Sequence, residues 1–434
     1  MQTIFKRNNS IREVRNMQVI ISHPTSNEFN RAAVKGLLEA GVLSEFHTTL
    51  ALFPDSFIDY LSKLRPFSEI HRRSFDPVLK EVIKSKPWFE LGRQVALRTG
   101  VNSLVNHETG FFSVDAVYRN LDKHVSNHLK GIRLTGKDTV YAYEDGALHS
   151  FRGAKKQHMR CLYDLPIGYW RTARKLLAKE KERWPEWAAT IKGFDDSETK
   201  LRRKDEELQL ADQIFVASSF TAKTLKDYPG KLAPVHVIPY GFPKVTNQSN
   251  NFSFAKNRKL KLLFVGGLSQ RKGIADLFAA VEALKEHVTL TVVGRKVSDS
   301  CTVLDNALAK HHWIPSLSNQ DVLKLMQSHD VLAFPSLFEG FGMVITEAMS
   351  QGTPVITTDR TAGPDIITHG ENGWLVKAGS TDALRQSIEE LLSKPEQIIS
   401  VGNAAMETAK LRPWEVYGRE LAEAVIQCGE LNIV

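Results

Sequence analysis

The sequence predicts an α/β protein of two Rossmann-like domains that face each other across a cleft. Three observations predict it. The chain has 434 residues, enough for two domains of roughly 100–200 residues each. Short apolar runs alternate with helical stretches of about 10–15 residues, the rhythm of a parallel sheet covered on both faces. That rhythm breaks at the polar, Asn- and Ser-rich stretch FPKVTNQSNNFSFAKNR over 242–258. The predicted layout is a polar segment over 1–16, an N-terminal domain over 17–245, a linker over 246–258, a C-terminal domain over 259–412 and a closing segment over 413–434.

Each element has its own signal. MQVIISHP (17–24) reads as a buried strand. Thr25 stands three residues before Glu28, a capping-box pattern, and the helix it opens stops at Gly41. SEFHTTLAL (44–52) is strand-like and completes a βαβ beginning. The stretch 54–130 has helical patterning around 77–98 and 113–130 without a parallel-sheet rhythm. Strands return at DTVYAYED (138–145) and QHMRCLYDLP (157–166), followed by a long basic, aromatic helix over 167–183. ADQIFVAS (211–218) is a strand that leads into a helix from Ser219, and PVHVIPYG (234–241) is the last strand of this half. Beyond the linker KLKLLFVGG, VTLTVVG, HHWI, DVLAFPS and PVITT are strands, while KGIADLFAAVEALK, SNQDVLKLMQSH and FGMVITEAMSQ are helices.

Composition excludes several classes. With 42% hydrophobic and 24% charged residues the chain has the make-up of a folded globular protein. No run reaches the ~18 apolar residues of a membrane-spanning helix. The polar start MQTIFKRNNSIREVRN lacks the apolar core of a secretory signal. Three widely spaced cysteines, Cys161, Cys301 and Cys428, argue against a disulfide framework and for a reducing, cytoplasmic setting. The histidines are not expected to form a metal site. Residues 1–257 hold 40 Lys/Arg against 28 Asp/Glu, a balance of +12, and residues 258–434 hold 17 against 21, a balance of −4. A basic half suits an anionic substrate or an anionic membrane surface. No nucleic-acid-binding module accompanies the charge, so nucleic acid is not an expected partner. Residues 167–192 interleave Arg and Lys with Trp170, Trp184 and Trp187. They read either as a peripheral helix on anionic lipid or as a solvated helix whose aromatics pack inside its own domain.

Two strand-to-helix loops carry the chemistry. Phe338-Glu339-Gly340-Phe341-Gly342-Met343-Val344-Ile345-Thr346-Glu347 follows a strand and opens a helix. Its glycines let the backbone approach a ligand, and the free amides of a first helical turn suit a phosphate. Glu347, inside the helix, can accept hydrogen bonds from vicinal hydroxyls such as those of a ribose. Glu339, in the loop, stands nearer whatever the phosphate carries. Val265-Gly266-Gly267-Leu268-Ser269-Gln270-Arg271-Lys272-Gly273 is the second loop. Arg271 and Lys272 bring positive charge for a diphosphate to the same edge of the sheet.

These residues resemble the retaining glycosyltransferases of family 4, which have the GT-B fold. The likeness rests on VGGLSQRKG (265–273), VVG (292–294), DVLAFPSLFEGFGMVITEAMSQGTPVITTD (330–359), Gly363-Pro364, ENGWLV (371–376) and residues 380–384. VASSFTAKTL (216–225) and HVIPYGFP (236–243) extend it upstream; it covers 212–434 well and 17–211 weakly. The resemblance implies a hexose-type sugar moved, with retention and without a metal, from a nucleotide-sugar to a glycan or lipid-linked acceptor. The donor, UDP- or GDP-linked, is a substrate, and no cofactor is implied. Cell-surface polysaccharide or lipopolysaccharide synthesis is the implied setting. Carried over by position, Arg271, Lys272 and Glu339 serve the reaction: the two cations hold the diphosphate and Glu339 meets the transferred sugar. Glu347 binds the ribose, and the backbone of Gly266, Gly267, Gly340, Phe341, Gly342, Met343 and Val344 lines the donor. The backbone around Ile314 reads the base, and a last helix from about Trp414 returns to the first domain.

The sequence departs from the family in three places. Gly267 stands where many relatives carry Arg, so one phosphate contact is either missing or supplied by Arg295. His23-Pro24-Thr25-Ser26-Asn27 replaces a Gly-rich loop, and Tyr141 to Gly146 replaces a stretch that holds a His near the acceptor. Asn27, Glu144 and Asp145 are the acceptor-side candidates; the alternative for the two acids is to cap the helix that follows. Two other functions fit the same pattern, a non-catalytic nucleotide-sugar-binding subunit and a nucleotide-sugar epimerase of similar fold.

Overall fold

A computed structural model describes residues 17–54, 73–132, 138–191, 196–246 and 258–430. The predicted 1–16 segment and nearly all of the 246–258 linker lie outside the described residues. The N-terminal sheet comprises β1 (Val19–Ser22), β2 (Leu43–Thr48), β3 (Ile83–Ser85), β4 (Thr139–Tyr143), β5 (Arg160–Leu165), β6 (Gln213–Val216) and β7 (Val235–Val237). Its order is β3-β2-β1-β4-β5-β6-β7. The C-terminal sheet comprises β8 (Leu260–Val265), β9 (Val288–Val293), β10 (His312–Ile314), β11 (Val331–Phe334), β12 (Val355–Thr358) and β13 (Trp374–Val376), in the order β10-β9-β8-β11-β12-β13. Every strand pair is parallel. The two Rossmann-like domains are therefore as the sequence predicts. Central strands β1, β4, β11 and β12 are buried along their whole length, which is why they read as continuous apolar runs.

The N-terminal helices are α1 (Glu28–Glu39), α2 (Trp88–Arg98), α3 (Val114–Leu129), α4 (Leu148–Lys156), α5 (Trp170–Arg183), α6 (Glu198–Leu210) and α7 (Ser219–Thr224). The C-terminal ones are α8 (Ile274–Ala283), α9 (Thr302–Leu308), α10 (Asn319–Gln327), α11 (Met343–Ser350), α12 (Gly363–Ile366), α13 (Thr381–Ser393), α14 (Glu396–Leu411) and α15 (Trp414–Glu430). Two local expectations are corrected. The capping box at Thr25 does not form: Asn27 precedes the helix without a side-chain cap, and the Thr25 amide donates to His23 Nδ1 at 3.1 Å instead. Between 77 and 98 the chain makes a turn, the edge strand β3 and only then a helix; three residues with one buried side chain leave no alternation to read.

Two devices join the domains. Helix α15 leaves the C-terminal domain and packs on α1. The crossing is so close that a Cβ on Gly36 would lie 2.0 Å from the Gly418 carbonyl oxygen, and one on Gly418 would lie 2.4 Å from that of Ala32. Arg412, just before α15, donates to the Pro239 carbonyl at 2.5 Å and pairs with Glu420 at 2.6 Å. The second device is the basic segment. Arg183 at the end of α5 pairs with Asp276 of α8 at 2.5 Å and donates to the Gly379 carbonyl at 2.5 Å. Trp187 is buried and stacks on Phe278 of α8 at 5.8 Å. Trp170 donates Nε1 to Asp205 at 2.8 Å and carries the Arg171 guanidinium 4.1 Å from its ring. Of the two readings of 167–192, the packed one describes these aromatics, and Trp187 packs between the domains rather than inside one. No helix among the described residues is long and apolar enough to cross a membrane.

Beneath the cleft, β5 buries a carboxyl. Asp164 accepts a hydrogen bond from Tyr141 Oη at 2.5 Å, and burial pushes its pKa from 3.8 up to about 7.

Two outcomes are expected. An Ala in a helix interior ordinarily stabilises relative to Gly by roughly 0.5–1 kcal/mol, but Gly36→Ala should destabilise by ~1–3 kcal/mol through overpacking against α15. The denaturant midpoint measures it, and an unchanged or higher midpoint would refute the close crossing. Asp164 is protonated in the folded protein where an unfolded chain would already be ionised. Its contribution is full below 3.8 and is lost as pH rises towards about 7. Asp164→Asn should therefore gain several degrees in Tm over wild type at pH 8 and little at pH 4; equal Tm differences at both would reject the assignment.

Candidate active site

Each sheet reverses its strand order once, between β1 and β4 and between β8 and β11, and ligand crevices open beyond the strand ends at such points. The C-terminal switch point joins the two loops singled out in the sequence. After β8 the chain passes Gly266 and Gly267, makes a tight turn over Gln270–Lys272 and enters α8 through Gly273 at φ +71°. A Cβ on Gly273 would lie 2.1 Å from the Pro335 carbonyl oxygen, so the loop after β8 lies directly on the loop after β11.

That contact builds an ion cluster. Arg271 Nη1 donates to the Phe338 carbonyl at 2.7 Å and stands 3.3 Å from Glu339 Oε1. Lys272 Nζ pairs with the same oxygen, and Ser336 Oγ donates to it at 2.6 Å. Burial pushes the Glu339 carboxyl up, but Lys272 and Arg271 outweigh it and hold the group below its usual range. Burial likewise lowers the Lys272 ammonium against the pull of Glu339. Ser336 was not singled out in the sequence; its only signal was a hydroxyl three residues before Glu339.

Gly342, at φ +90°, turns the chain into α11, which starts at Met343 without a side-chain cap. The amides of Met343 and Val344 come too early in the helix for an intrahelical acceptor, and both residues are half-exposed. Glu347, one turn on, accepts from Asn319 Nδ2 at 3.0 Å; burial raises its pKa against that bond. A cleft of about 1380 Å³ lies between the domains. Val265, Met343, Thr346 and Glu347 are on its C-terminal wall, and Thr25, Asn27, Arg31, Arg73 and Arg93 are on its N-terminal wall. Arg271, Lys272 and Glu339 are not on the wall itself. They stand alongside, Lys272 Cε being 3.9 Å from where a side chain on Gly266 would begin. Ile314 ends β10 half-buried, its carbonyl accepting from the Gly294 amide at 3.0 Å. Arg295 follows Gly294 and is exposed.

The loop after β11 is held from the other domain. The Gly340 carbonyl accepts from Ser218 Oγ at 2.5 Å and from Thr221 Oγ1 at 3.0 Å, both at the start of α7. A Cβ on Gly340 would sit 1.8 Å from the Pro166 carbonyl oxygen, so only glycine fits there. Phe338 is fully buried and meets Phe220 edge-on at 5.7 Å.

On the acceptor side Asn27 lines the cleft, whereas Glu144 and Asp145 do not. Glu144 is buried and pairs with Lys204 at 3.5 Å. Burial pushes it up to about 7, with Lys204 opposing. Asp145 pairs with Arg203 at 3.1 Å and Lys204 at 3.6 Å. Neither caps α4. That role falls to Glu207 of α6, which accepts from the amides of Asp145 at 2.9 Å and of Ala147 and Leu148 at 3.2 Å each. The capping alternative for this pair is corrected: α6 brings Glu207 to the amides of the loop and Lys200, Arg203 and Lys204 to the two acids, contacts no local pattern announces. Arg31, Arg73 and Arg93 were missed for the same reason, since three separate segments bring them together.

Residues 246–408 match the family described as Glycosyl transferases group 1. The capsular polysaccharide biosynthesis glycosyltransferase CapM of Staphylococcus aureus is 27% identical over 242 residues, 49% of this chain and 60% of CapM. The MMP alpha-(1->4)-mannosyltransferase of Mycolicibacterium hassiacum is 25% identical over 233 residues, 51% of this chain and 54% of that protein. The chain thus matches a little over half the length of these curated relatives. Sucrose-phosphate synthase from Thermosynechococcus elongatus superimposes with a TM-score of 0.63 at 16% identity, covering 96% of this chain and 100% of the other. Anabaena HepE in complex with UDP-glucose does so with a TM-score of 0.57 at 16% identity, covering 95% and 100%. The chain has the GT-B fold of these structures, and its C-terminal domain carries the match to the glycosyl transferases group 1 family.

Proposed function

We propose that the chain is a retaining glycosyltransferase that moves a hexose-type sugar from a nucleotide-sugar to a glycan or lipid-linked acceptor. One observation carries this reading: an uncapped helix start at Met343 and Val344 stands next to Arg271 and Lys272, with Glu347 one turn farther along the cleft. The diphosphate of the donor would sit on that helix start, where amide dipoles and two cations stabilise the charge that grows as the anomeric bond stretches. Lys272 would turn from Glu339 to the phosphates, freeing the Glu339 carboxylate for a sugar hydroxyl. Glu347 would take the ribose hydroxyls in place of Asn319. In the scheme proposed, the acceptor hydroxyl attacks the face from which the diphosphate leaves, a diphosphate oxygen takes its proton, and no metal takes part. A complex of the neighbour HepE with UDP-glucose supports a nucleotide-sugar donor, proposed to be UDP- or GDP-linked, and the name of CapM supports a role in cell-surface polysaccharide synthesis.

The acceptor is proposed to be anionic or lipid-linked. Arg31, Arg73 and Arg93 face the cleft together with Glu28 and Glu90, which leaves that wall positive. Helix α2, which supplies Glu90 and Arg93, also exposes Trp88 at 70%, and the neighbouring Phe111 is 63% exposed. Its companion Phe89 stacks on Phe111 at 5.4 Å, and Lys84 in β3 and Lys86 just after that strand precede it. Apolar side chains with a basic border suit the cytoplasmic face of an anionic membrane, so this face, rather than 167–192, is the proposed membrane contact.

Melting points with UDP, GDP, ADP and dTDP test the donor site. A ligand at 100 times its Kd stabilises by ~2.7 kcal/mol, about 5–10 °C for a domain of this size. One nucleotide should raise the Tm of wild type and raise that of Glu347→Ala much less. No shift with any of them would refute the donor site. Lys272→Ala should lower the rate of sugar transfer ~10²–10³-fold, the usual effect of removing one preorganised donor. Wild-type turnover in that variant would reject its phosphate role.

A further inference from the structure

On β2, Glu45 and His47 are two residues apart and so share one face of the strand. On α3, His124 and His128 are four apart and share one face of the helix. The fold lays these two faces together. His47 Nε2 lies 2.8 Å from Glu45 Oε2, and His128 Nε2 lies 2.6 Å from the same oxygen. The His47 ring is 4.9 Å from that of His128 and 5.8 Å from that of His124. His47 is 0% exposed. Its Nδ1 has no hydrogen-bond partner, and His128 Nε2, though so close to Glu45, makes no hydrogen bond either. One donor atom from each of Glu45, His47 and His128 lies within 4.8 Å of the others. Three groups rich in lone pairs thus crowd one spot, with one straight hydrogen bond among them.

We propose that Glu45, His47 and His128, with His124 as a fourth donor one turn away, form a binding site for a divalent late first-row metal such as zinc. Two or three imidazoles with a carboxylate are a donor set of that class. The site is remote from the donor loops and does not depend on the proposed transfer reaction. Its place suggests a brace: the His47 carbonyl accepts from the His23 amide at 3.0 Å, and Thr49 Oγ1 donates to the Pro24 carbonyl at 2.6 Å. A metal tying β2 to α3 would stiffen the loop that carries Asn27 to the cleft. The spacing of His124 and His128 is visible in the sequence; the partner strand is not.

The test uses the full, tag-free chain after chelator treatment, titrated with zinc chloride by equilibrium dialysis and with cobalt(II) by visible absorption. Wild type should bind one equivalent, and a 100-fold excess over Kd should raise its Tm by about 5 °C. Glu45→Gln and His128→Ala, both at partly exposed positions, should weaken binding at least 10-fold and remove the visible d–d bands. His107→Ala serves as the control, because His107, Glu108 and Asp196 form the other such group among the described residues. Absence of stoichiometric binding, binding that survives in His128→Ala and Glu45→Gln, or binding lost only in His107→Ala would each overturn the proposal.

Discussion

The site depends on a carbonyl held between two domains. Gly340 offers its oxygen to Ser218 and Thr221 across the domain boundary, in a space where a single methyl group would strike Pro166. With that peptide fixed, Phe338 enters the apolar contact with Phe220, Glu339 turns back to Lys272, and Gly342 starts a helix with its amides open. The donor half of the cleft is thus set by both domains, although its chemistry is carried by one. A residue whose role is to have no side chain governs where the charged ones stand.

Part of the charge of the N-terminal half is held in ion pairs. Arg119, Lys200, Arg203 and Lys204 pair with Asp115, Asp145, Glu144 and Asp196, and Arg183 bridges to Asp276 of the other domain. Removing one partner from such a buried group would leave an unpaired charge, which costs more than the pair contributes. Toward the cleft Arg31, Arg73 and Arg93 outnumber Glu28 and Glu90, with Glu90 pairing both Arg93 at 2.8 Å and Arg73 at 3.7 Å. Ion pairs cancel in the overall balance of +12, so that excess is carried by cations outside these pairs.

The fold was largely legible because central parallel strands are buried on both faces and announce themselves as apolar runs. Strand β3 was not, since Ile83-Lys84-Ser85 holds one apolar residue, whereas the equally short edge strands β7 and β10 hold two each. The donor loops were legible because glycine, cation and carboxylate lie close together in the chain. The surroundings of Glu144 and Asp145 were not, since Lys204 and Glu207 reach them from about 60 residues away. The capping box at Thr25 failed for a smaller reason: a buried imidazole at His23, pushed down to about 4 by burial, takes the Thr25 amide first. Local patterns speak for local contacts, and the acceptor side is built from distant ones.

The pairing of Gly36 with Gly418 bears on how the chain matures. Helix α1 is made well before the surface that covers it, α15, which follows some 380 residues later. Until α15 has emerged, Tyr417, Leu421 and Val425 are missing from the first core, and its apolar flank stays open to water. Domains ordinarily close in the order of synthesis; here the first waits for the last helix of the second. Loss of the chain from Trp414 onward would leave that flank uncovered for good, a consequence of topology and not of any weakness of either sheet.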